Sequence, residues 1–136
     1  MKKIFLSCLL ISSVPAVACS CYEMTLEKHF ESVKNVYYGQ LISAQYEEVN
    51  KENDWPSVSG IIDIKDVLKG EKLEQISIKT GLGGGDCGIS LTVGKYYSLF
   101  VNKSDEYISI CDASKQMDSI EYKDLKQKID TFLRRR

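Results

Sequence analysis

Cys19-Ser20-Cys21 decides how the rest of the chain is read. Two cysteines one residue apart do not bridge each other without severe strain. On an extended strand both side chains point the same way, roughly 7 Å apart. Each therefore needs a partner from elsewhere, and the chain offers Cys87 and Cys111. The fifth cysteine, Cys8, lies inside an apolar leader. Four cysteines allow three connectivities. Setting self-pairing aside leaves two of them open, and both tie the N-terminal segment across the face of one small β-domain.

Upstream of this stretch, residues 1–18 read as a secretory signal peptide. Lys2 and Lys3 form the charged region, Ile4 to Val14 the apolar region, and Ala16-Val17-Ala18 a small-x-small cleavage site. The apolar run is too short for a spanning helix, and no later stretch is apolar enough to be one. A second reading competes with simple secretion. Small residues ahead of Cys19 also fit a bacterial lipobox, which would lipidate Cys19, although Ala16 stands where that box holds Leu. The expected location is secreted, periplasmic or extracellular, with lipid anchoring at Cys19 as the alternative.

Taking 18 residues from 136 leaves 118, a length that suits one domain, residues 19–136, with its own core. Losing Lys2 and Lys3 takes the 18 basic residues to 16 against 19 acidic, a net charge of −3. That balance excludes a nucleic-acid footprint. The one basic cluster, Arg134-Arg135-Arg136, suits a solvated helix end favoured by the helix dipole. An even number of exported cysteines reads as two disulfides.

Downstream of Cys21 a short helix is expected. Thr25 caps it, Leu26, Phe30 and Val33 form its apolar stripe, and Asn35 ends it. His29, the only histidine, reads as a solvated helix residue rather than a metal ligand. Val36 to Tyr46 reads as a first strand with Gly39 as a bulge position. Glu47 to Pro56 is a polar loop, and Trp55 within it is either a lid on the barrel end or an exposed contact residue. Val58 to Lys69 is a second strand, with Ile62 and Ile64 alternating against Asp63 and Lys65. Gln75 to Thr80 is a third, with Ile76 and Ile78 on one face. Gly81 to Gly88 is a glycine-rich connection. Lys95 to Asn102 is a fourth strand after a turn at Val93-Gly94, and Tyr107 to Cys111 is a fifth. Asp118 and Glu121 have capping-box spacing, and Tyr122, Leu125, Ile129, Phe132 and Leu133 make one helical stripe. The expected core is Ile62, Ile64, Ile76, Ile78, Leu99, Val101, Ile108 and Ile110.

Five strands without a βαβ rhythm, flanked by two helices, point to a mainly β fold, a five-stranded OB barrel with two disulfides. Closing the sheet removes exposed edges. Enzymatic motifs are missing where they would be expected. Gly81-Leu82-Gly83-Gly84-Gly85-Asp86-Cys87-Gly88 lacks the Lys-Ser or Lys-Thr of a P-loop, and a strand rather than a helix follows it. The cysteines lack the paired Cys-x-x-Cys spacing of a zinc site. The expectation is a protein that is not an enzyme and carries no cofactor.

The ordered landmarks carry a resemblance. They are a cleavage site abutting Cys19-Ser20-Cys21, Tyr38-Gly39 in the first strand, Val67-Leu68-Lys69-Gly70 closing the second, Cys87-Gly88, Gly94-Lys95-Tyr96-Tyr97, and Cys111. Over about residues 19–115 this resembles the netrin-like module, and within it the N-terminal domain of the tissue inhibitors of metalloproteinases. The resemblance implies the pairs Cys19–Cys87 and Cys21–Cys111. It also implies that the Cys19 α-amine and carbonyl chelate the catalytic zinc of a partner metalloprotease. Ser20 would then enter the specificity pocket, Cys21 would belong to the same contact, and Gly85, Asp86 and Cys87 would form the adjoining ridge. The chain departs from that family in three ways. It has no cysteines for a third disulfide, Tyr22-Glu23-Met24 stands where prolines follow Cys-x-Cys, and no second cysteine-rich domain follows. A disulfide-stabilised binding or structural module of the cell envelope, without inhibitory activity, is the alternative.

Overall fold

The computed structural model describes residues 19–49 and 55–136. The leader, its cleavage site and residues 50–54 of the first long loop lie outside the described residues. The elements run α1 (Leu26–Ser32), β1 (Asn35–Glu47), β2 (Ser57–Lys69), β3 (Gln75–Thr80), β4 (Tyr96–Val101), β5 (Glu106–Tyr107), β6 (Lys115–Gln116) and α2 (Ser119–Leu133). The six strands form one curled sheet, a half-barrel, in the order β5-β3-β2-β1-β4-β6.

β1 and β2 are thirteen residues each and pair antiparallel along their length. The register shifts between Tyr38 and Gly39, so a bulge does fall at Gly39. A Cβ there would meet the Asp63 carbonyl oxygen at 2.5 Å, which only glycine avoids. β4 pairs with the first half of β1 on its other edge, and β3 continues the sheet beyond β2.

Among the described residues the sheet has six strands rather than five because Lys115–Gln116 adds one beside β4, and the expected Tyr107–Cys111 strand is cut short. β5 is only two residues long and lies parallel to β3, with Ile78 opposite Glu106. Beyond it the Asp112 carboxylate accepts hydrogen bonds from the Ser109 and Ser114 N–H groups, both at 2.7 Å. This Asp-centred turn satisfies locally the backbone groups that a longer strand would offer a neighbour. Ile110 consequently ends 54% exposed instead of buried. The sixth strand, β6, pairs with β4 through Tyr97 and Ser98.

Two apolar clusters sit on opposite faces of the sheet. The inner one joins Tyr37, Leu41, Ile62, Ile76, Ile78, Ile89, Tyr97, Leu99, Val101 and Ile108, with Ile64 half-buried at its border. The outer one packs Val36, Tyr38, Phe100 and Met117 against Phe30 of α1 and Leu125, Ile129 and Phe132 of α2. β1 and β4 are therefore covered on both faces where they pair.

Both helices are pinned to this outer face by named polar groups. The Asp118 carboxylate accepts from the N–H groups of Ile120 and Glu121, and Glu121 accepts from the Asp118 N–H at 2.9 Å, completing the capping box. Tyr122 lies stacked on Tyr38 at 3.8 Å between ring centroids, and its hydroxyl donates to Asp66. Burial and that carboxylate push the Tyr122 hydroxyl well above the ordinary phenol range. The α1 N-cap is Thr25, as its sequence suggests, but the helix ends at Val33 rather than Asn35. The Lys69 ammonium explains the earlier stop, since it donates to the Phe30 and Val33 carbonyls at 2.6 and 2.5 Å. Asn35 instead opens β1 and accepts from the Glu71 N–H beside Gly70, whose φ of +93° makes the turn. At the far end Arg136 pairs with Glu31 of α1, and Leu133 is left 44% exposed. Among the described residues no helix is long and apolar enough to cross a membrane.

Candidate functional site

The site begins with Thr80, the last residue of β3 and completely buried. Its hydroxyl donates to the Ile108 carbonyl and accepts from the Ile89 N–H, both at 2.8 Å. One side chain thereby fixes both ends of the glycine-rich loop relative to β5. At the neck of the loop the two chains pass so closely that a Cβ on Gly88 would lie 2.5 Å from the Gly81 carbonyl carbon. Those glycines serve close backbone approach.

Asp86 organises the interior of the loop. Its carboxylate accepts from the backbone N–H groups of Leu82 at 2.6 Å, Gly83 at 3.0 Å and Gly88 at 2.9 Å. These donors, the Gly88 N–H foremost, hold the Asp86 carboxyl below its ordinary range and keep it ionised. The carboxylate thus faces its own loop, and the outer surface there is backbone from Gly84 and Gly85, both exposed. Cys87 follows with φ +61°, a left-handed conformation held by the hydrogen bonds around it.

Against this loop lies the N-terminal segment. Cys19 is bonded to Cys87 and Cys21 to Cys111, with Cα–Cα distances of 5.5 and 5.0 Å. The Cys19 Sγ sits 3.6 Å from the Gly85 carbonyl oxygen and 3.9 Å from that of Gly84. Ser20, between the two anchors, is exposed, as are Cys21 and Tyr22. Cys19, Gly85, Asp86 and Cys87 are thus brought together, Ser20 projects beside them, and Cys21 leads away to the Cys111 turn.

The geometry adds two residues. Trp55, which ends the first long loop, is 83% exposed, and Tyr107 of β5 is 50% exposed. Both line a pocket with Gly85 and Asp86. Trp55 is therefore exposed rather than a lid on the barrel end. The only sequence signal for it was a lone Trp in a polar stretch, and Tyr107 read simply as part of a strand. His29 lies half-buried on α1. Among the described residues no group of three or more His, Cys, Asp or Glu side chains is placed to hold a metal. No protein-family model and no curated protein matches the chain.

Proposed function

We propose that this chain is a secreted inhibitor-like protein that presents the Cys19 amine and carbonyl to the catalytic zinc of a metalloprotease. The supporting observation is the stapled N-terminus. Cys19 and Cys21 are each bonded to the body of the domain, while Ser20 between them stays exposed. A catalytic zinc keeps an open position that an incoming ligand can fill. An α-amine has a reference pKa of about 8, so a modest shift leaves it a neutral donor near pH 7. Holding the chelating end rigid lowers the ordering cost of binding.

In this reading Ser20 enters the partner's specificity pocket, and Gly84 and Gly85 let the partner's backbone approach. Asp86 acts by shaping the loop, since its carboxylate is occupied by the loop's own N–H groups. Secretion is favoured over lipid anchoring, because a lipid on the Cys19 sulfur and the Cys19–Cys87 bond exclude each other. Two disulfides also suit an oxidising compartment. For the fold, the parallel β3–β5 pair and the β1–β4 pair support a partly open OB-type barrel.

One observation favours the second reading, a binding module without inhibition. The exposed Trp55 beside the ridge has no part in a chelation step. A panel of zinc metalloproteases assayed against the natively cleaved protein separates the two. Inhibition of at least one supports chelation. No inhibition of any leaves the binding module.

A further inference from the structure

Trp55, Gly85, Asp86 and Tyr107 line a pocket of about 350 Å³ beside the ridge. A neighbouring hollow shares Trp55 and Tyr107 and is lined as well by Tyr46, Glu47, Glu48 and Lys79. Together they form a crevice with three exposed aromatic rings along its length, Tyr46 being 54% exposed.

Its charge is one-sided. Glu47 and Lys79 pair with each other at 3.2 Å, and Glu47 also accepts from the Ser57 hydroxyl, so their charges cancel locally. Among the described residues, Asp86 and Glu48 then leave the crevice net negative. Asp86 receives only uncharged backbone donors, which solvate its charge without neutralising it. Aromatic faces attract cations through their quadrupole, Trp most strongly, and carboxylates nearby add a direct attraction. A guanidinium can stack flat on such rings with its edge toward the Glu48 side of the crevice, while the inward-facing Asp86 adds only a longer-range attraction; a compact ammonium stacks less well.

We propose that the Trp55–Tyr107 crevice is a subsite for an arginine side chain of the polypeptide that seats against the ridge. Its position beside Gly85 puts an arginine there within one contact surface with Ser20 and Cys19. The subsite does not depend on zinc chelation, so it can be tested without any protease.

The test uses the single indole of the chain as its reporter. The isotope-labelled mature protein is titrated with the blocked tripeptide Ac-Gly-Arg-Gly-NH2 and with its Lys, Leu and Glu counterparts. The Trp55 indole N–H and the Gly85 and Tyr107 amides are followed by NMR. The expected result is a saturable shift with the Arg peptide, a weaker one with Lys, and none with Leu or Glu. Raising the salt should weaken the Arg response, since the charges are exposed. Trp55→Ala should abolish the shifts at Gly85 and Tyr107, and Trp55→Phe should retain part of them. Because Trp55 is so exposed, both variants keep the fold. An equal response to the Leu peptide, no response to the Arg peptide, or undiminished shifts in Trp55→Ala would each overturn the proposal.

Discussion

The Ile110 N–H donates to the Cys87 carbonyl at 2.9 Å. That single bond sets the loop bearing Cys87 against the backbone just before Cys111. The two anchor points of the N-terminus are thereby held side by side, which is what a Cys-x-Cys segment needs. Side chains two residues apart on an extended chain reach neighbouring sites rather than one another.

The stapling should dominate stability. The two disulfides span sequence separations of 68 and 90 residues. Removing a native disulfide from a small secreted domain costs about 2–5 kcal/mol. That is a large share of a total of about 5–15 kcal/mol. Cys111→Ser should lower the denaturant midpoint sharply, and chemical denaturation of the variant beside the parent measures it. A midpoint unchanged from the parent would contradict this.

The inner core should respond by position. Ile62→Ala and Ile78→Ala remove fully buried side chains and should each cost about 2–5 kcal/mol. Ile110→Ala, at an exposed position, should cost no more than about 0.5 kcal/mol. Equilibrium unfolding of the three variants checks the contrast.

How much of this was legible depended on which face of the sheet a residue met. β2 and β3 alternate because one face is apolar, and Ile62, Ile76 and Ile78 are buried as expected. β1 and β4 are covered on both faces by the curl of the sheet and by the helices, so aromatic and β-branched density identified them rather than alternation. The pattern misled at Ile110, where alternation continued past β5 but the Asp112 carboxylate draws the Ser109 and Ser114 N–H groups into a turn around it. β6 is Lys115-Gln116, two polar residues whose pairing with β4 is a long-range fact with no local signal. At the site, Cys19-Ser20-Cys21 stood out by spacing, whereas the place of Cys87 beside Cys19 was implied only by the resemblance. The Asp86 hydrogen bonds depend on the fold of the loop, and the approach of Trp55 to Gly85 depends on tertiary folding that spacing does not encode.

Thr80 should act as the neck of the ridge. Thr80→Val keeps the shape but leaves the Ile89 N–H and the Ile108 carbonyl without their buried partner. An orphaned buried group costs about 1–3 kcal/mol. Hydrogen exchange should show the Ile89 amide losing protection in this variant. Unchanged protection would contradict the clamp.

Acid should loosen the ridge. The folded-state pKa of Asp86 is lowered, with the Gly88 N–H as the first cause. That of Asp66 is lowered as well, first by Lys126 and then by Tyr122. A depressed carboxyl stabilises the fold above its unfolded pKa of about 3.9 and loses that contribution as pH falls through the lower folded value. Stability should therefore decline below about pH 4. Asp86→Asn should flatten that decline, and unfolding measured across the acid range tests it. An equally steep decline in the variant would assign the acid sensitivity elsewhere.

In the proposed function an unmodified α-amine on Cys19 makes the contact with the partner's zinc. One extra alanine ahead of Cys19 moves the amine away from the metal and leaves both disulfides able to form. The decisive measurement compares the inhibition constant of the natively cleaved chain with that of the Ala-extended chain against the same zinc metalloprotease. The native form should inhibit, and the extended form, equally stable, should not. Equal inhibition by the two forms would contradict it.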